Sequence, residues 1–289
     1  MTDAPRRGVL AVVGTPIGNL ADLSPRAAEV LGAVQLVACE DTRRTGRLLQ
    51  HLAVRAPSMC VVNQYTEAAA VDRVIAVLAA GGDVALVSDA GMPAVSDPGA
   101  VLVDAVARAG YDVVVVPGPS ACTAALALSG FVGDRFCFEG FLPRKGPDRR
   151  ARIGALVDET RIAVLFEAPH RVERTVADLT AALGQDRPLA ICREITKRFE
   201  EVWRGPLGEA TAHLGGSPPR GEYVLVVAGA APHDVVDDER ILAAIEAERG
   251  AGASRRDAVE HVTASLGAPR RRVYDLALTV GFDSPGSAP

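Results

Sequence analysis

Val84-Ala85-Leu86-Val87-Ser88-Asp89-Ala90-Gly91-Met92-Pro93-Ala94-Val95-Ser96-Asp97-Pro98-Gly99 is the stretch on which the fold turns. Its first four residues are an unbroken apolar run, the pattern of a parallel strand buried on both faces, and the run stops abruptly at Ser88-Asp89. Gly91, Pro93, Pro98 and Gly99 exclude regular structure beyond it, while Asp89, Ser96 and Asp97 supply oxygens. Ligands of open α/β sheets lie past the carboxyl ends of the strands, so this loop is a candidate site. The alternative is an ordinary strand-to-helix turn with Asp97 as an Asx or helix cap.

The same grammar repeats on either side. Val9 to Val13 reads as a strand and runs into Gly14-Thr15-Pro16-Ile17-Gly18-Asn19-Leu20, a loop that lacks the third glycine of a dinucleotide fingerprint but still permits close backbone approach. Ser24-Pro25 caps a helix. A strand from Val34 to Ala38 enters Cys39-Glu40-Asp41-Thr42-Arg43-Arg44-Thr45, which is either a helix cap or a charged rim facing phosphates. Ser58 to Val62 is a third strand, and Tyr111 to Val116, a β-branched run, reads as a central parallel strand. Strands alternating with helices make residues 1–118 a parallel, doubly wound α/β domain.

From Phe131 the texture changes. Phe136 to Leu142 is an aromatic strand, followed by a basic, proline-flanked loop from Pro143 to Arg150. Ile162 to Phe166 ends in Glu167-Ala168-Pro169-His170-Arg171, and Leu189 to Cys192 runs into an alternating-charge segment holding Lys197. With a strand from Glu222 to Val227, these compose a second α/β domain over 119–232. Residues 233–289 take helical period, broken at Gly250-Ala251-Gly252 and Gly267-Ala268-Pro269. That pattern is like a helix-turn-helix, whose Arg270, Arg271 and Arg272 either touch phosphates or belong to a structural cap.

Composition narrows the function classes. With 48% hydrophobic and 23% charged residues in 289, the chain is compact rather than disordered. Its net charge of −5 confines any nucleic-acid contact to local patches. Five dispersed cysteines with no C-x-x-C pair argue against a disulfide framework or zinc site and for a reducing cytoplasm. No apolar run approaches membrane-spanning length. Only Lys145 and Lys197 among the 31 basic residues are lysines. An ammonium, unlike a guanidinium, can lose its proton when buried.

Taken together, Gly14 to Leu20, Ser24-Pro25-Arg26, Glu40 to Arg43, Ser88 to Pro93 with Ser96 to Gly99, Pro117 to Ala121, Glu139 to Pro143, Glu167 to Arg171 and Arg193 to Lys197 resemble the bacterial 16S rRNA (cytidine-2'-O-)-methyltransferases of the tetrapyrrole-methylase superfamily. The resemblance spans residues 8 to 230. It implies two α/β domains of the tetrapyrrole-methylase type with S-adenosyl-L-methionine in the interdomain cleft, a homodimer, and the decoding-centre rRNA of the small ribosomal subunit as substrate. By motif position it places Pro16, Asp89, Ala90, Gly91, Val95, Ala121, Cys122, Thr123 and Phe166 at the cofactor. Arg43, Arg44, Arg144, Lys145 and Arg149 are the expected RNA contacts, with Phe141 or Tyr65 packing on a displaced base.

A sugar hydroxyl is a poor nucleophile until its proton is accepted; Lys197, Glu40, Asp41, Glu167 and His170 are the candidate acceptors, and the alternative is a purely positional mechanism in which water takes the proton. Superfamily relatives acting on precorrins lack the Glu-Asp-Thr-Arg element. A tetrapyrrole C-methyltransferase and a non-catalytic RNA-binding protein remain the competing readings.

Overall fold

The computed structural model describes residues 7–55, 57–63, 66–216, 218–231 and 237–282. Met1–Gly229 form one compact unit and Ala230–Pro289 another. Tyr65 lies outside the described residues.

The first unit holds two five-stranded sheets. One comprises β1 (Val9–Val13), β2 (Leu36–Cys39), β3 (Ser58–Val61), β4 (Val84–Val87) and β5 (Asp112–Val116), in the order β3-β2-β4-β1-β5 and parallel throughout. Successive side chains of a strand leave opposite faces of a sheet, so a strand covered on both sides must be apolar at every position. β2 and β4 are.

On one face Leu10, Leu36 and Leu86 pack against α3 (Glu67–Ala79) and α4 (Ala100–Arg108) through Val74, Leu78, Leu102 and Val106. On the other, Val13, Val37 and Ala85 meet α1 (Pro25–Ala33) and α2 (Thr42–His51) through Leu31 and Leu49. Ser24 starts α1 as the sequence indicates, its side chain accepting from the Ala27 N–H ahead of a proline in the first turn.

β5 is an edge strand, not a central one, and Val114 and Val115 are 46% and 53% exposed. β-branched composition reports compatibility with a pleated backbone and says nothing about how many neighbours the strand has.

The second sheet contains β6 (Phe136–Phe141), β7 (Ile162–Glu167), β8 (Pro188–Arg193), β9 (Glu201–Pro206) and β10 (Tyr223–Val227), in the order β6-β7-β10-β8-β9. Only β6 and β7 run parallel; the other three pairings are antiparallel. α5 (Ala121–Ser129) covers one face, with Cys122 and Ala125 on Val164, Ala190, Cys192 and Val226. α6 (Pro147–Ala155), α7 (Pro169–Leu183) and α8 (Leu207–Leu214) cover the other.

Two further features depart from the sequence reading. β9 pairs at the sheet edge directly after the alternating-charge segment, over residues to which the sequence reading assigns no strand. The basic loop ends at Gly146, because Pro147 opens α6 and turns Arg149 inward.

The second unit is α9 (Asp238–Gly250), α10 (Arg255–Leu266) and α11 (Arg270–Ala277) around Ile241, Ile245, Val262, Val273 and Ala277. Left-handed Gly267 ends α10 ahead of Pro269 and α11. Among the described residues no helix is long and apolar enough to cross a membrane.

Candidate active site

The loops after β1 and β4 are tied together beyond the carboxyl end of the first sheet. Thr15 N–H donates to the Gly91 carbonyl at 2.9 Å, and Gly91 N–H donates back to the Thr15 carbonyl at 3.2 Å. The buried Thr15 hydroxyl adds contacts to the Ser88 and Gly91 carbonyls. This clasp contributes to the walls of two cavities.

One is a cleft of about 320 Å³ reached by both sheets. Ile17, Ala90, Gly91, Val95, Ser96 and Asp97 come from the first half and Phe141, Phe166, Glu167, Ile195, Glu222 and Val224 from the second, with Ala121 from α5. Three carboxylates and no lysine or arginine stand among the described residues that line it. The other cavity, about 410 Å³, is lined by Thr15, Pro16, Leu20, Arg44, Thr45, Arg47, Leu48, Ser88 and Asp89. It carries the opposite charge balance.

The segment presenting Asp97 is held rigidly. Ala94 and Ser96 sit at φ 65° and 67°, in the left-handed region that costs non-glycine residues about 1 kcal/mol or more. Gly99, at φ 131°, follows them. The opposing constraint is Glu67, buried at the start of α3, whose Oε1 accepts from both the Gly99 and the Leu102 N–H at 3.0 Å.

Burial pushes the Asp97 carboxyl up to about 6; the Glu40 and Asp89 charges add to this, and a Ser88 hydrogen bond opposes it. Burial and the Asp89 charge also raise Glu40, against the Asp89 N–H and the Arg44 charge. Asp89 itself accepts from the Asp41 N–H at 3.2 Å and pairs with Arg44 at 3.4 Å. The carboxylates after β2 and β4 therefore form one interacting group.

In the second half, Glu167 is 2% exposed and accepts from the Thr175 hydroxyl, the Ala168 N–H and Arg171. Arg149, also buried, donates to Thr175, to the Pro143 carbonyl and to Asp178. Its guanidinium is thereby fully engaged inside the protein and is not available to RNA phosphates, because the first turn of α6 points it at α7.

Of the residues singled out for the cofactor, Ala90, Gly91, Val95, Ala121 and Phe166 converge on the 320 Å³ cleft. Pro16 and Asp89 line the neighbouring cavity instead. Cys122 points into the sheet core and Thr123 donates to the Ser120 carbonyl; neither lines either of these two cavities. Helical geometry explains this, since consecutive residues leave a helix in directions about 100° apart and only Ala121 faces the cleft.

Lys197 is not set up as a base. Burial pulls its pKa down, but hydrogen bonds to Glu194 and Glu222, each 2.8 Å, outweigh that and hold it above the ordinary value. His170 is exposed in the first turn of α7 and lines neither cavity. Arg43 is exposed and paired with Asp41, while Arg144 and Lys145 are exposed in the loop before α6. Asp97 stands in the sequence reading as a loop oxygen or an Asx or helix cap, and its half-burial in the cleft depends on contacts that no local motif reveals.

Residues 9–211 match the family described as Tetrapyrrole (Corrin/Porphyrin) Methylases. The chain is similar to the ribosomal RNA small subunit methyltransferase I of Synechocystis, 42% identical with 96% of this chain and 99% of that protein covered. The protein of that name from Thermotoga maritima is 45% identical, covering 77% of this chain and 99% of its own. Among solved structures, the uroporphyrin-III-C-methyltransferase of Thermus thermophilus superposes with a TM-score of 0.55 at 25% identity, over 77% of this chain and 94% of its own.

Proposed function

This chain belongs to the tetrapyrrole methylases, in the ribosomal RNA small subunit methyltransferase I family, and from that premise we propose that it methylates a cytidine 2'-hydroxyl in the decoding centre of 16S rRNA. The donor is S-adenosyl-L-methionine and the substrate is the assembled small subunit.

The observation that carries this reading is Asp97 standing in a cleft whose other walls are largely apolar. A sulfonium donor is cationic at its sulfur and amino group and anionic at its carboxylate; of the lining carboxylates Glu167 is paired with Arg171 and Glu222 with Lys197, which leaves Asp97 without an ion-pair partner among the described residues. Ile17, Val95 and Phe166 supply apolar surface for the remainder, and Phe166 is fixed by edge contacts with Phe138 and Phe141. Gly91, at φ 91°, lets the wall come close: a Cβ there would stand 3.3 Å from Ile17 Cγ2. These residues fit the donor, which supplies the methyl group when bound.

The chain's own contribution to the reaction is positioning and proton transfer. Holding the donor in the cleft beside the target ribose converts a bimolecular encounter into an oriented one. Asp97 is the proton acceptor in this reading. Its carboxyl lines the cleft, and a pKa of about 6 leaves it ionised yet basic near neutrality. Glu40 shares its environment and raises its basicity. Lys197, held as an ammonium, buttresses Glu222 and Glu194.

Arg43, Arg44, Arg144 and Lys145 meet rRNA phosphates, and Phe141, 52% exposed, offers a face for a displaced base. The exposed Val114 and Val115 edge is the surface a homodimer would bury. Incubating the protein and labelled donor with small subunits from a strain lacking this methylation, then mapping the modified ribose, tests the reading. Label on a cytidine 2'-oxygen supports it. Label on a supplied tetrapyrrole and none on the subunit would replace it with the C-methyltransferase reading.

A further inference from the structure

We infer that the arginine-lined cavity beside the cleft is the seat of the target ribonucleotide, with Arg47 and Arg44 on its phosphate and Leu20 and Leu48 against its base or sugar. This deepens the proposed function and rests on it. Four observations carry it.

The cavity's volume of about 410 Å³ falls in the range of small-ligand sites. It opens beyond the carboxyl ends of β1 and β4, where ligands of parallel sheets collect. Its wall is shared: Thr15, Pro16, Ser88 and Asp89 face this side, and Ile17, Ala90 and Gly91, from the same two loops, face the cleft. Its charge is complementary to the cleft's, since both cationic side chains of the pair of cavities are here.

Arg47 is the distinctive residue. Arg44 is engaged by Asp89, but Arg47 is exposed and pairs with no carboxylate among the described residues. An unengaged guanidinium at the mouth of a cavity is suited to a phosphate, which it can meet with two parallel N–H bonds. Leu20, 45% exposed, and the half-buried Leu48 supply the apolar side. Apolar surface beside a guanidinium fits a nucleotide splayed out of its stack better than a continuous duplex, whose bases stay covered. The donor and the acceptor hydroxyl would then occupy adjoining cavities with the carboxylates of the shared loops near both.

Arg47→Ala removes the phosphate contact, and Leu20→Glu places a negative charge in the cavity; both positions are exposed, so both variants fold. The full chain is assayed with small subunits and labelled donor, and with cytidine 5'-monophosphate as a competing probe. The expected result is a rise of about tenfold in KM for subunits in each variant. Donor affinity by calorimetry stays unchanged, and the probe competes with subunits rather than with donor. Parental KM in both variants, or competition of the probe with donor, overturns the inference. If the unaltered protein transfers no methyl to subunits, the proposed function is what fails. The inference is then decided by calorimetry with cytidine 5'-monophosphate: binding lost in Leu20→Glu sustains it, and no binding overturns it.

Discussion

Gly18 and Lys197 are in contact across the two halves of the first unit: a Cβ on Gly18 would fall 2.5 Å from Cγ of Lys197 and 2.8 Å from Oγ1 of Thr196. The lysine cannot simply swing aside, because its Nζ is held by Glu194 and Glu222. Thr196 is itself fixed at φ 65°. Gly18→Ala is therefore expected to push the loop after β1 away from the second sheet and open the cleft at Ile17. Donor affinity measured by calorimetry should fall by about tenfold or more, the cost of roughly 1.4 kcal/mol of misfit. Unchanged affinity would mean that the two halves do not need this approach.

Asp97 yields a prediction with a definite sign. Its folded pKa is about 6, above the ordinary carboxylate value of 3.8, so the folded state binds this proton more tightly than the unfolded chain. The associated stabilisation is complete below the unfolded pKa and is lost as pH rises through 6. Asp97→Asn should thus raise the melting temperature at pH 7.5 and leave it nearly unchanged at pH 3.5. Activity moves the other way. The parental rate should climb as pH rises through 6, and the asparagine variant should lose on the order of 10²-fold in kcat together with that pH dependence. Stabilisation without loss of rate would remove Asp97 as proton acceptor.

The arginines near α6 divide into two kinds, and substitution should separate them. Arg149 is buried on Asp178, Thr175 and the Pro143 carbonyl, so Arg149→Met leaves those groups short of a partner. The expected loss is about 2 kcal/mol in urea unfolding, from depriving the Pro143 carbonyl and the buried Thr175 hydroxyl of this donor, since Asp178 is 37% exposed and keeps Arg174 nearby. Arg144→Ala with Lys145→Ala should not shift the unfolding midpoint, since both are exposed. It should instead raise KM for small subunits and flatten its dependence on salt. Equal effects on stability from the two substitutions would contradict the assignment.

The contrast shows how far the sequence could be read. Continuous apolar runs such as Val84–Val87 announce strands covered on both faces, and Ser24-Pro25 announces a helix start, because those signals are local. The Gly146-Pro147-Asp148 start of α6 was equally local, a flexible residue, a proline in the first turn and an early acid, but the surrounding arginines masked it as a basic loop. β9 and the edge position of β5 depend on which strands pair, and pairing is a long-range property. At the site, motif positions brought Ala90, Gly91, Val95, Ala121 and Phe166 to one cleft. Sequence could not show that Lys197 would be claimed by two carboxylates or that Asp97 would be half-buried near Glu40. Those depend on which loops the folding of each half brings together, Glu222 onto Lys197 in the second and the loop after β2 onto the loop after β4 in the first.

The edge of the first sheet supports a last expectation. β5 pairs with β1 on one side only, and Val114 and Val115 stand exposed along it, with the Arg26 guanidinium donating to the Val115 carbonyl at 3.3 Å. An exposed β-branched edge invites association unless a partner covers it. A second copy is the occupant that the proposed homodimer supplies. Light scattering should give a dimer for the unaltered chain and a monomer for Val115→Arg, because the guanidinium would be desolvated without a partner in the interface. The substitution lies outside the residues lining the cleft, so calorimetry on the monomer should return the parental donor affinity unless the partner copy completes the site. A dimer that survives Val115→Arg would place the interface elsewhere on the molecule.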